Sequence, residues 1–461
     1  MKSLNFLISK TRAAASVKKI VIALLAFGSL SPACSQEPVA LHPWTLEQCL
    51  QYGLSRHPQL RIAESNVSAE KARVMQTGSA YDPKLDLRAN WRHSKVETAS
   101  GRNIVDATTD STSESISASK LLFDAGQTSL QKRAAGESLA AAKARRDSTL
   151  TELAANIKAA FFRAQQAIEL LKVREETLEG YERHLEKVES FVEVGTRAPF
   201  DITRAQVDVA NARVELISAR SNLKVALAGL TRAVGLSETI EIAPYEDFRQ
   251  PTGLAEDKDK LFGEAMSRPD LKAADFQVKA ADLRLKEARL GRSPSVSASA
   301  DYQWSGTVSP LDRQWGMGVS MSWPVFDGAI TRAQIDSARS TLENNAAALE
   351  NSRLAVNAEL ENSITGLTDA LERLQATTVL VQQASESLHL AEGRYDAGLG
   401  SPLEITDARV EFARARGNHV VALFDSLIAQ AELDRVLGRL PAEYRIQEIP
   451  APEKKSGETE K

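Results

Sequence analysis

Glu404 and Asp407 stand three residues apart behind Ser401-Pro402. On a helix that spacing puts both carboxylates on one face. Ser401 and Glu404 also fit the S-x-x-E capping box that opens a helix. The two readings compete for one carboxylate, and the spacing leaves both open. A matching start, Ala198-Pro199-Phe200-Asp201, has no capping side chain and offers only Asp201 to the helix dipole. Little else in the 461 residues has the spacing of a reaction centre. The six histidines are far apart and no HxxxH or CxxC occurs, so neither a metal site nor a cofactor is expected. A G-x-x-x-x-G-K-[ST] phosphate loop and a G-x-S-x-G elbow are both missing, which argues against an enzyme. The formal net charge of −4 comes without a basic cluster, so nucleic acid is not an expected partner.

The N-terminus has the features of a secretory signal peptide. Lys18 and Lys19 precede the short apolar run IVIALLAFGSL and the small-residue segment SPACSQ, and residues 1–33 are read as the leader. The run is shorter than the roughly 20 residues a membrane-spanning helix needs. Cys34 sits where a lipobox cysteine would be lipidated, although Ser31 replaces the usual apolar residue. Cleavage near Ala33 or Ser35 without lipid is the other route. The second cysteine, Cys49, could close a disulfide with Cys34 in an oxidising compartment.

Two corners recur, VGTRAPFD at 194–201 and AGLGSPLE at 397–404. Each follows a long stretch free of proline and reads as a glycine stop and a proline start. They belong to an internal repeat. Phe123 corresponds to Phe326, Gly195 to Gly398, Pro199 to Pro402, Ile202 to Ile405 and Gly235 to Gly438, all at an offset of 203. Upstream, Pro58 with Pro269 and Pro83 with Pro294 give 211, so the first copy carries eight more residues between Trp91 and Phe123. The expected units are repeat 1 at 34–236, a linker at 237–257, repeat 2 at 258–438 and a polar tail at 439–461.

Each copy reads as an amphipathic helix (46–78, 258–291), two strands, a very long helix (125–194, 328–397) and a half-length helix (199–235, 402–438). Leu171, Leu178, Leu185 and Val192 are seven apart, as are Leu367, Leu374, Val381, Leu388 and Tyr395, the spacing of a coiled coil. About 70 helical residues span roughly 105 Å. The first helix and the half-length helix could stack end to end along that length. The expected strands, 84–97, 112–123, 295–306 and 313–326, alternate apolar and polar residues, as in Val296, Ala298, Ala300 and Tyr302 against Ser295, Ser297, Ser299 and Asp301. With aromatic residues at their ends they read as transmembrane β-strands. Four strands are too few to close a barrel around a lumen, so several chains must share one.

In this order, WTLEQCLQYGLSRHPQL at 44–60, the LLFDAG and PVFDGA junctions, VGTRAPFDITRAQ and YDAGLGSPLEITDAR resemble the TolC-type outer-membrane efflux proteins over almost all the mature chain. The resemblance implies an α+β membrane protein built from two repeats. A homotrimer would share a twelve-stranded β-barrel in outer-membrane lipid, continuous with a long coiled-coil tunnel through the periplasm. The tunnel would dock on a periplasmic adaptor and an inner-membrane pump of RND or ABC type, as the passive exit duct of efflux or type I secretion. The adaptor would touch the helix tips at Val194, Gly195, Thr196, Pro199, Gly398, Leu399, Ser401 and Pro402. Glu404 and Asp407 match an acidic ring at the closed entrance, which would favour cations and repel anions. Tyr395 and Asp201 match residues that restrain the gate by hydrogen bonds. The family's arginine in the second turn is here Gly400, so Arg197 or Arg204 would have to replace it. The rival reading is a non-conducting coiled-coil structural protein.

Overall fold

The structure is a computed structural model, and it describes residues 43–100, 103–244, 257–307 and 311–440. Cys34, the leader, most of the linker and the tail beyond 440 lie outside the described residues. Among the described residues eight α-helices and four strands follow one order twice. The first half runs α1 (Leu46–Arg56), α2 (Pro58–Gly78), β1 (Lys84–Ser100), β2 (Asn103–Phe123), α3 (Gln127–Glu193) and α4 (Pro199–Val234). The second runs α5 (Lys258–Ala265), α6 (Pro269–Arg289), β3 (Ser295–Gly306), β4 (Asp312–Ser322), α7 (Ile330–Asp396) and α8 (Pro402–Val436).

Each expected first helix is in fact two. Pro58 and Pro269 cannot donate to the preceding turn and push the residue before them out of helical geometry. His57 (ψ 135°) and Arg268 (ψ 147°) are extended, and each proline becomes the first residue of the next helix. His57 Nδ1 then accepts from Gln59 N at 3.1 Å. Buried Arg268 is held by Asp270 (2.8 Å) and Glu359 (2.7 Å). These breaks are where the half-length helices end. Gly235, in left-handed geometry at φ +87°, leaves room for His57 and Pro58, and Gly438 does the same for Arg268 and Pro269. Thus α2 stacks on α4, and α6 on α8, alongside helices of 67 residues, about 100 Å long.

The helices form a wall one layer thick. α3 packs against α2 and α4, and also against α6 and α8, while α7 packs on α6 and α8. The columns therefore run α7, then α6 with α8, then α3, then α2 with α4. Both outer columns are edges. On α4 the edge exposes Phe200, Val207, Val214, Ile217 and Val225, and on α7 it exposes Leu354, Val379 and Leu390. The main core lies where α1 meets α3, α4 and α8, around Leu50, Ile157, Phe161, Leu230 and Phe424. Cys49 is buried there as a free thiol, and burial, then Glu47, pushes it up to about 12.

The strands form one antiparallel sheet in the order β1-β2-β3-β4, again with two open edges. Its register aligns chemistry across all four strands, because directly opposed residues share a face. Asp86 faces Ser117, Ser117 faces Asp301, and Asp301 faces Gly316. Leu87 faces Ile116, Ile116 faces Tyr302, and Tyr302 faces Trp315. One face is thus a lawn of Ser, Asp and Gln, and the other is apolar and exposed, with Leu85, Leu87, Trp91, Trp315, Met317 and Val319 uncovered. The first hairpin is longer than expected. β1 reaches Ser100 and β2 starts at Asn103, so β2 runs nine residues past Thr112, where its pairing with β3 begins. That stretch, NIVDATTDS at 103–111, has no strict apolar–polar alternation, so periodicity could not register it; the eight extra residues of the first copy lie in this hairpin. β4 ends at Ser322, short of the expected 326, because Pro324 cannot donate to a ladder. Among the described residues no helix is long and apolar enough to cross a membrane.

Candidate functional site: the paired helix tips

Both corners end their long helix by the same backbone device. Thr196 N reaches Phe191 O at 2.9 Å and Gly195 N reaches Val192 O at 2.9 Å. In the second corner Leu399 N reaches Arg394 O at 2.9 Å and Gly398 N reaches Tyr395 O at 3.0 Å. Gly195 (φ +76°) and Gly398 (φ +73°) take the left-handed position this motif requires. Pro199 and Pro402 then open α4 and α8. Val194, Phe200, Leu399 and Leu403 stand exposed around the two turns.

The second corner forms only half of its expected capping box. Ser401 Oγ accepts from Glu404 N at 3.2 Å. The Glu404 carboxylate turns instead to Arg394 Nε at 3.0 Å. Ala198 makes no side-chain cap on α4. Asp407 is exposed one turn beyond Glu404. Gly400 is buried, and a Cβ there would sit 2.9 Å from the Tyr395 backbone nitrogen. An arginine at 400 is therefore sterically excluded by the turn itself. Arg197 takes up the space beside it, stacked on the Tyr395 ring at 4.6 Å and reaching Gly400 O at 3.5 Å. Arg204 lies near Asp208 instead, where its charge opposes the upward pull of burial on that carboxyl.

Tyr395 is only 1 % exposed, and its hydroxyl has no hydrogen-bond partner among the described residues. Burial raises it above the ordinary phenol range, with Asp201 and Asp396 adding to the rise and Arg197 opposing it. Asp201 thus lies within electrostatic range of Tyr395 without a hydrogen bond to it. Behind the tyrosine, His184 of α3 is 5 % exposed, with its ring 5.6 Å from that of Tyr395 and its Nδ1 unpartnered. It lines a cleft of about 580 Å³ between α3, α7 and α8. Ion pairs staple the cleft: Arg409 to Glu392 at 2.7 Å and to Gly180 O at 2.5 Å, Arg416 to Glu176, and Lys187 to Asp396. Burial, then the charges of Arg409 and Lys187, lowers His184 to about 4, with Asp396 opposing. Sequence reasoning did not single out His184 or Arg409, since neither has motif spacing.

At the far end of the long helices a second constellation repeats. Asp124 accepts from Gly126 N (3.0 Å), Thr128 N (2.7 Å) and Tyr81 Oη (2.8 Å). Asp327 accepts from Thr331 N (2.9 Å) and Arg292 (2.9 Å). These hydrogen bonds and the Arg292 charge hold Asp327 well below the usual carboxylate range. Each aspartate caps a long helix where it leaves the sheet. The doubled D-x-x-x-T spacing, Asp124 to Thr128 and Asp327 to Thr331, was the signal available in the sequence.

A two-faced sheet continuous with a wall of helices about 100 Å long defines an outer-membrane channel fold, and solved channels share it. VceC of Vibrio cholerae superposes with a TM-score of 0.70 at 20% identity, covering 86% of this chain and 96% of that one. CusC gives a TM-score of 0.76 at 19% identity, covering 90% and 100%. The chain belongs to the outer membrane efflux protein family, whose pattern matches residues 50–236 and 264–439. Among curated relatives, the probable efflux pump outer membrane protein TtgC of Pseudomonas putida is 26% identical over 413 residues, covering 86% of this chain and 83% of that one. The protein is thus located in the outer membrane and extends into the periplasm.

Proposed function

We propose that three copies of this chain close a single β-barrel and a single helical duct, which conducts solute passively out of the cell. The observation that carries the reading is the pair of matching open edges. The sheet ends unpaired at β1 and β4, and the helical wall ends at α4 and α7, both with exposed apolar residues. A surface with two different open edges joins head to tail and closes into a ring. Closure would also satisfy the free strand edges, which lipid does not tolerate. The apolar face is bounded by Lys120 at one end and by Glu114 and Arg313 at the other. Six residues of strand separate Lys120 from Glu114, about 20 Å. Trp91, Tyr302, Trp304 and Trp315 gather at one margin and Phe123, Trp323 and Phe326 at the other, the two aromatic girdles of a barrel in a bilayer.

The repeats, 34–236 and 258–438, would each supply one hairpin to the barrel and one coiled-coil pair to the duct. The tips form the periplasmic mouth, gated by Asp201, Tyr395, Glu404 and Asp407. Val194, Gly195, Thr196, Pro199, Gly398, Leu399, Ser401 and Pro402 meet a periplasmic adaptor there, and the exposed Val194 and Leu399 are the apolar part of that contact. Energy comes from an inner-membrane pump of RND or ABC type, because the chain carries no nucleotide loop. The test is single-channel recording of the purified protein in planar bilayers. Small cation-selective currents are expected, and Asp407→Ala should lower the cation preference. Verified insertion without conductance would overturn the duct in favour of a structural coiled-coil protein.

A further inference from the structure

Arg197 and Gly400 hold equivalent places in the two copies, at the repeat offset of 203, and the structure brings these two residues into contact. The guanidinium leaves the α3–α4 turn and lies over the ring of Tyr395, the penultimate residue of α7, at 4.6 Å. It also reaches the Gly400 carbonyl of the α7–α8 turn. Its turn neighbours Val194, Gly195, Thr196 and Ala198 are exposed, whereas Arg197 is half-buried. Lys187 to Asp396 is a second link between the same two helices, one turn or so back from the corner. The Tyr395 hydroxyl has no hydrogen-bond partner among the described residues, and the aromatic face makes the contact with Arg197. The Gly400 turn admits no side chain of its own.

We infer that Arg197 is a positioning residue that latches the first helix corner to the second within each chain, through the face of Tyr395 and the carbonyl of Gly400, and so holds the mouth narrow. This rests on reading the corners as the gate of a duct. Parting the corners exposes the buried ring and strips it of its cation, so every opening must break this contact in each chain. A cation over an aromatic ring at a partly exposed site changes an equilibrium about 2- to 5-fold.

The experiment records open probability for Arg197→Ala, Arg197→Lys, Tyr395→Leu and Tyr395→Phe, with spin labels on Thr196→Cys and Leu399→Cys reporting the distance between corners in each background. The latch predicts that Arg197→Ala and Tyr395→Leu each raise open probability at least 2-fold and widen the label distances. Arg197→Lys should keep most of the closure, Tyr395→Phe should be silent, and the double variant should add little to either single change. Equal effects of Tyr395→Phe and Tyr395→Leu, additive effects of the two truncations, or a fall in opening on Arg197→Ala would each overturn it. The label distances read the latch without any current. Widening on Arg197→Ala in a protein that never conducts would keep the latch and sink the duct; currents with unchanged distances would do the reverse.

Discussion

Acid should loosen the helix tips through His184, over a pH window set by the burial of its ring. The ring is buried between α3, α7 and α8, with Tyr395 against it; Glu176, Glu179, Arg183 and Lys187 from its own helix, Glu392 and Asp396 from α7, and Arg409 and Arg416 from α8 line the same cleft, and Arg409, Lys187 and Asp396 act on it. Its proton affinity falls from an ordinary 6.5 to about 4 in the packed cleft. A cleft that opens to water restores the ordinary value. Between pH 6.5 and 4 the open form therefore binds a proton that the packed form rejects. Packing is at full strength above pH 6.5, weakens by up to ~1.4 kcal/mol for each pH unit below it, and loses nothing further below about 4. Allowing for solvent screening near the surface, the total is roughly 1–3 kcal/mol. Hydrogen exchange of the last turns of α3 and α7, corrected for intrinsic rates, measures this directly. Wild type should lose protection between pH 6.5 and 5, and His184→Gln, uncharged throughout, should hold flat there. The slope present in wild type and missing in His184→Gln belongs to the histidine. An equal slope in His184→Gln between pH 6.5 and 5 would refute the argument.

Three further outcomes follow from the packing. Val214→Asp or Ile217→Asp places a charge in the middle of the exposed α4 edge; if that edge is the seam of the proposed trimer, light scattering in detergent should show monomer for the variants and trimer for wild type, because an unpaired buried carboxylate costs several kcal/mol. Asp327→Ala removes the cap of α7 and should cost about 1–2 kcal/mol, seen as faster exchange confined to its first turns. Ala329→Gly should raise thermal stability, since Ala329 holds a left-handed φ of +73° that costs an alanine about 1–2 kcal/mol.

The doubled order of elements, the long helices and the corners were legible because each has a local cause: proline-free length, heptad spacing, a glycine stop. The breaks at His57 and Arg268 were legible too, since Pro58 and Pro269 announce them, but amphipathic periodicity runs across both prolines and masks the change. The far end of the first hairpin showed only as the eight extra residues of the first copy, because a ladder of backbone hydrogen bonds needs no pattern of side chains. At the tips, Gly195, Gly398, Pro199 and Pro402 could be placed by type alone. What Tyr395 touches could not. Its surroundings, His184 and Phe191 of α3 and Arg197 of the α3–α4 turn, all come from the other half of the chain.

Duplication explains why the two corners need each other. An exact repeat would build two equal corners with equal charges, and like charges at the tips would drive them apart. The copies instead differ in charge at two equivalent positions, 197/400 and 204/407, and keep an acid at a third, 201/404. The first corner carries Arg197, Asp201 and Arg204 where the second carries Gly400, Glu404 and Asp407. The first lacks an aromatic side chain where the second has Tyr395, its counterpart being Val192. A cation and an arginine-free turn are useless singly. Together they let one side chain cross from the first turn to the Tyr395 ring and the Gly400 carbonyl of the second. Because Glu404 is occupied by Arg394 and Arg197 by Tyr395, Asp407 is the acidic group of the second corner left exposed and free to face solute. Charge selection and closure would thus fall to different residues: substituting Asp407 should alter which ions pass, and substituting Arg197 should alter how often they do.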